Sequence, residues 1–222
     1  MAIKLSRVFW AASIALCYQL YSAGQLFLFI SKQRKIEFYD LINRYPGEWI
    51  CAHLLLMLGV VLFIPAYIAL CHYLKDTRAY FLAQISALFA VLSSFMLLGQ
   101  FAIDLTLIEV FRLPKETAYV VLDGIQNNST IKALFYDNSK LFFLLKYLDL
   151  ALLSQILLGA ALIISKKVPS WAIVLYFTAL VLVQFGILID PFYGRIIKRG
   201  SYSLIGVSLL PVARRMLGIK FL

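Results

Sequence analysis

The stretch ICAHLLLMLGVVLFIPAYIALCHYL, residues 50–74, decides the class of this protein. It runs for 25 residues without an aspartate, glutamate, lysine or arginine. A helix needs about 20 mostly apolar residues to cross the hydrocarbon core of a bilayer. A half-buried surface helix would show a polar stripe, and none is present here. Pro65 lies inside the run and predicts a kink, which packed membrane helices tolerate.

Similar runs lie on both sides. Residues 8–30, VFWAASIALCYQLYSAGQLFLFI, follow Lys4 and Arg7. They outrun the apolar part of a signal peptide, and Tyr21-Ser22-Ala23 puts a bulky residue where cleavage wants a small one, so an uncleaved helix is expected. Residues 79–102 form a third span, with helix continuing to about Phe111 before Pro114 ends it. Residues 140–165 and 170–190 follow, the last closed by Asp190-Pro191. A sixth segment, SYSLIGVSLLPVARRML at 201–217, is short, because Arg214 interrupts it. The expected fold class is all-α: a single polytopic transmembrane helix bundle over residues 1–222, with six transmembrane helices, or five if the last segment does not span.

Composition agrees. The chain is 63% hydrophobic and 14% charged, against about 45–50% and about 25% for a soluble domain. The length leaves no room for a separate soluble domain. The net charge of +10 is spread between apolar runs. That pattern suits lipid headgroups, and the lack of a basic stripe with interleaved aromatics excludes nucleic acid as a partner. With the N-terminus inside, segments 1–7, 75–78, 166–167 and 214–222 hold nine Lys/Arg and one acid, Asp76. Segments 31–48, 112–140 and 191–200 hold eleven Lys/Arg with six acids over many more residues. The density of positive charge favours both termini inside. Localisation is expected in a bacterial inner membrane. Cys17, Cys51 and Cys71 are odd in number, lie in apolar runs and show no CxxC spacing, so they read as small core residues.

The polar residues within the runs are the candidate site. Lys146 and Asp149 lie in KYLDLALLSQ, 146–155, about 9 and about 14 Å along the fourth helix. Three residues apart, they can pair directly. On the same orientation, Gln25, His53, Gln100, Asp104, Gln184 and Asp190 fall toward the same outer end of their helices. A charge at the bilayer centre costs about 2.5–3.5 kcal/mol on insertion scales, so such residues face the bundle interior. Lys146, Asp149, Asp104 and Asp190 are therefore expected to face an outward-opening vestibule. The plainer alternative is glue between helices or contact with headgroups. His53 and His72 are about 28 Å apart along one helix and cannot share a haem or a metal. No metal or cofactor is expected, although a single-histidine haem or a bound quinone or lipid stays open. Nothing resembles a nucleophile elbow or a phosphate loop. The Asn127-Asn128-Ser129-Thr130 cluster carries glycosylation sequons on the outer side. The segment KQRKIEFYDLINRYPGEW, 32–49, reads as a short amphipathic helix at the outer surface, with Phe38, Tyr39, Tyr45 and Trp49 as candidates for burial.

The junction LIISKKVPSWAIVLYFTALV, 162–181, ends one helix in a basic pair and opens the next with Pro-x-Trp. In this junction and in its six-helix layout the chain resembles an uncharacterised bacterial membrane family, the domain-of-unknown-function 4386 type. The resemblance implies the fold but neither an activity nor site residues. Three functions fit the residues. The favoured one is a non-enzymatic accessory or assembly subunit that contacts lipid and other membrane subunits. A small transporter or proton-coupled carrier using Lys146–Asp149 is the second. A membrane enzyme acting on a lipid or quinone-like substrate from the outer leaflet is the third.

Overall fold

The computed structural model describes residues 5–32, 38–127, 150–189 and 192–218. Among them it is all-α. The helices are α1 (Leu5–Lys32), α2 (Phe38–Arg44), α3 (Pro46–Leu74), α4 (Tyr80–Phe111), α5 (Lys115–Asn127), α6 (Leu150–Ser165), α7 (Ser170–Ile189) and α8 (Tyr193–Met216). Three of them, α1, α3 and α4, are long and apolar enough to cross a membrane. Leu150–Ser165 and Ser170–Phe185 are apolar but shorter within the described residues. These features fit a membrane helix bundle.

The six longest helices close a ring in the order α1, α3, α4, α6, α7, α8. Neighbours run antiparallel, as their paired residues show: Gly59 meets Tyr21, Asp104 meets His53, Ser154 meets Ser86, and Gly206 meets Gln19. The closest approach is between α1 and α3. A Cβ on Gly59 would lie 2.7 Å from the backbone nitrogen of Tyr21, and one on Gly24 would lie 2.8 Å from the carbonyl oxygen of Ala52. Glycine at both positions lets two backbones touch, the usual way that helices associate without help from water. The main core runs through this seam, from Ile14, Cys17 and Tyr18 to Tyr67 and Leu70, then across to Leu158, Leu162, Tyr176 and Leu209.

One end of the ring is basic. The turns Lys75–Ala79 and Lys166–Pro169 lie there, together with Arg214 and Arg215 at the end of α8. Lys167 Nζ donates to the Tyr73 carbonyl (3.0 Å), the Tyr73 hydroxyl donates to the Lys167 carbonyl (3.1 Å), and Arg215 donates to the Tyr73 hydroxyl (3.0 Å). Lys166 adopts φ +53°, which makes the reversal between α6 and α7 tight.

Two segments differ from the sequence expectation. Residues 115–127, expected in a polar connection, form α5, an amphipathic helix entered after Pro114. Helix α8 begins at Tyr193, not near 201, and takes in RIIKRG. Arg195 and Arg199 are one turn apart there and both reach the Phe29 ring of α1, at 5.9 and 4.7 Å. That contact gives the charged turns a helical face to pack, which local hydropathy does not register.

The α1–α3 contact can be tested with two alanines. Gly59→Ala should lower stability by about 1–3 kcal/mol through overpacking. A Cβ added at Gly99 would meet no atom within 4 Å, so Gly99→Ala should hold or gain up to about 1 kcal/mol from helix propensity. Thermal unfolding in detergent, followed by circular dichroism, reads both. Equal losses at the two sites would refute the close contact.

Candidate functional site

At the end away from the basic turns, α3 and α4 bring together two of the residues singled out in the sequence. Trp49 and His53 lie one turn apart on α3, and their rings meet at a 38° tilt with centroids 4.3 Å apart. The Trp49 indole donates to the Asp104 carbonyl of α4 (3.0 Å). His53 is fully buried. Its Nδ1 lies 2.8 Å from the Trp49 carbonyl oxygen. A carbonyl only accepts, so Nδ1 carries the hydrogen, and in the neutral ring Nε2 is left with a lone pair. Asp104 Oδ2 faces that atom at 3.5 Å, and Nε2 makes no hydrogen bond among the described residues. Asp104 keeps 32% of its side chain exposed, so the pair is dry on the histidine side and open on the other. Phe101 closes the pocket edge-on to the imidazole, 6.1 Å away.

The other candidates do not join this pair. Gln25 bonds Tyr21 of its own helix (3.3 Å). Gln100 is exposed, one turn before Asp104, and Gln184 is half-buried on α7. Lys146, Asp149 and Asp190 lie outside the described residues, as does most of the sequon cluster. Of the aromatic residues expected to be buried in the first outer segment, Trp49 is buried, Tyr39 is half-buried and Tyr45 is exposed. Tyr39 donates to the Leu113 carbonyl (2.7 Å) and meets Phe111 edge-on at 5.7 Å, which ties α2 to the end of α4.

A second polar layer, which the sequence reading did not single out, crosses the middle of the ring. The Tyr18 and Tyr67 hydroxyls bond each other at 2.9 Å, joining α1 to α3. Ser86 and Ser154 each donate to the other's carbonyl, at 2.7 and 2.9 Å, joining α4 to α6. Tyr176 donates to the Gln155 carbonyl (2.8 Å), joining α7 to α6. On the far side, Gln19 Nε2 donates to the Ser203 carbonyl (3.1 Å), Ser203 Oγ donates to Gln19 Oε1, and Ser22 donates to the Arg199 carbonyl (2.8 Å). The signal available in the sequence was a hydroxyl or amide in each apolar run, but serine and tyrosine are too common in such helices to stand out.

Among the described residues no three His, Cys, Asp or Glu side chains gather as metal ligands. No family model, no curated protein and no solved structure matches this chain.

The His53–Asp104 geometry predicts an ordering of variants. Asp104→Asn can offer an amide hydrogen to Nε2, and Asp104→Ala cannot. The asparagine variant should therefore be more stable than the alanine variant by about 1–3 kcal/mol, the worth of satisfying one buried acceptor. Unfolding midpoints in one detergent measure the difference. Equal midpoints would mean that the two side chains do not meet.

Proposed function

We propose that this chain is a multi-pass integral membrane protein of a bacterial inner membrane, with six spans and both termini cytoplasmic, and that it acts as a non-enzymatic accessory or assembly subunit in contact with lipid. One observation carries the reading: the buried hydroxyls and amides of the middle layer bond the backbone or side chain of a neighbouring helix. Groups used in this way hold helices together and are not left to act on a substrate. The uncovered face of α4 adds support. Phe81, Leu88, Leu92 and Phe95 are exposed along it, as apolar side chains that meet lipid or a partner helix are. The clustering of Lys75, Arg78, Lys166, Lys167, Arg214 and Arg215 at one end supports the orientation, since positive charge stays on the cytoplasmic side. The layout resemblance to the 4386-type family belongs to the same proposal and brings no activity with it.

Topology can be read with single cysteines in a background where Cys17, Cys51 and Cys71 are alanine. A membrane-impermeant maleimide should label Glu116→Cys in intact spheroplasts, and Asp76→Cys and Gly218→Cys only after permeabilisation. Labelling of Gly218→Cys from outside would remove the sixth span. The role is tested by gentle extraction from the native membrane and mass spectrometry. A second chain in fixed stoichiometry is expected. A lone, monodisperse chain that moves or converts a ligand in proteoliposomes would overturn the subunit reading.

A further inference from the structure

At the basic end of the ring, cations outnumber acids on the two turns. Lys75 and Arg78 lie in the α3–α4 turn and Lys166 and Lys167 in the α6–α7 turn, with Asp76 as the one acid in either. Lys75, Arg78 and Lys166 are exposed, and none of the three enters an ion pair among the described residues. Lys167 is used by the fold. Its ammonium donates to the Tyr73 carbonyl and lies 5.3 Å from the centre of the Tyr73 ring, while its own carbonyl accepts from the Tyr73 hydroxyl. Lys75 is two residues from Tyr73, and Lys166 is next to Lys167. These bonds therefore anchor both turns in one neighbourhood and gather the three exposed cations as a group. Like charges held together repel, and an anion among them removes that cost.

The helices that meet at the α6–α7 turn carry apolar side chains on their open faces. Ile163 and Ile164 are exposed in the last turn of α6, and Trp171 (53%) and Val174 (66%) are exposed at the start of α7. An indole beside lysines is the pairing found where hydrocarbon meets headgroups. Positive charge thus sits directly above an open apolar wall.

We propose that this corner binds the headgroup phosphate of an anionic phospholipid, with Lys166, Lys75 and Arg78 supplying the charge and the acyl chains lying along the exposed apolar faces of α6 and α7. A zwitterionic headgroup would bring a cation of its own to the same place, and free phosphate would gain nothing from the apolar wall. The inference rests on the reading of the chain as a membrane protein in contact with lipid, and it names that lipid's charge and place.

The test uses the full chain, purified in a neutral detergent and stripped of lipid, titrated with dioleoylphosphatidylglycerol and with dioleoylphosphatidylcholine. Saturable binding of the anionic lipid, tighter than that of the zwitterionic one, is expected. Lys166 has φ +53°, a conformation that suits glycine, so Lys166→Gly removes the charge without straining the turn. It should weaken binding about fivefold, the worth of one basic residue at an anionic surface. If Lys166→Gly fails to fold, Lys75→Gln should show the same loss. Lys198→Gln, in the first two turns of α8 at the opposite end, should bind like the parent chain. The proposal falls if the two lipids bind alike, if a folded Lys166→Gly or Lys75→Gln variant binds like the parent, or if Lys198→Gln costs as much. It falls too if inorganic phosphate displaces the lipid more than sodium chloride of equal ionic strength does, because the ligand would then be the free anion. A chain that stays monodisperse without detergent would defeat the membrane reading itself, whereas a detergent-dependent chain indifferent to lipid charge would defeat only this site.

Discussion

Gly24 and Gly59 bring α1 and α3 together backbone to backbone, and the rest of the ring hangs on that contact. Apolar helices gain little by leaving lipid for one another, so cohesion has to come from close van der Waals approach and from hydrogen bonds. The α1–α3 seam supplies the first. It then serves as a spine with two free sides. Helix α1 carries α8, α3 carries α4, α4 carries α6, and α7 closes the ring against α8 and α6. A side chain at either glycine would shift every helix attached beyond it.

Hydrogen bonds supply the rest, and they follow one economy. Between helices, most donors are hydroxyls or amides, and most acceptors are main-chain carbonyls. Neutral donors cost little to bury when they are satisfied, whereas charges do not. Among the described residues charged side chains are accordingly kept near the ends, where Tyr73, Lys167 and Arg215 lock the basic turns and Asp104 sits half in the open. His53 is the exception. It is buried near one end with one nitrogen bonded and the other facing a carboxylate across 3.5 Å.

The helical class was legible because uncharged runs such as 50–74 have few other physical readings. The end of α4 at Phe111 was legible too, since Pro114 stops a helix by removing a donor. The pairing of His53 with Asp104 was only half legible: depth along each helix placed both at the same end, but depth carries no information about which face each side chain takes. The Tyr18–Tyr67 bond was not legible at all. It joins residues 49 apart through ring packing, and single tyrosines in an apolar run give no hint of their partners. The early turns of α8 were misread for a related reason. In the structure Arg195 and Arg199 lie over Phe29 of another helix, and a window of local hydropathy sees only the charge.

That last helix bears on how the protein is made. Helix α8 carries Arg195, Lys198 and Arg199 in its first two turns and Arg214 and Arg215 in its last. On the six-span reading it is too polar to leave the insertion machinery unaided. Its natural receptor is the side of α1 where Gln19 and Ser22 await the Ser203 and Arg199 backbone. Helix α1 leaves the ribosome well before α8. On that reading, Gln19 and Ser22 have no α8 backbone to bond until α8 itself has been made.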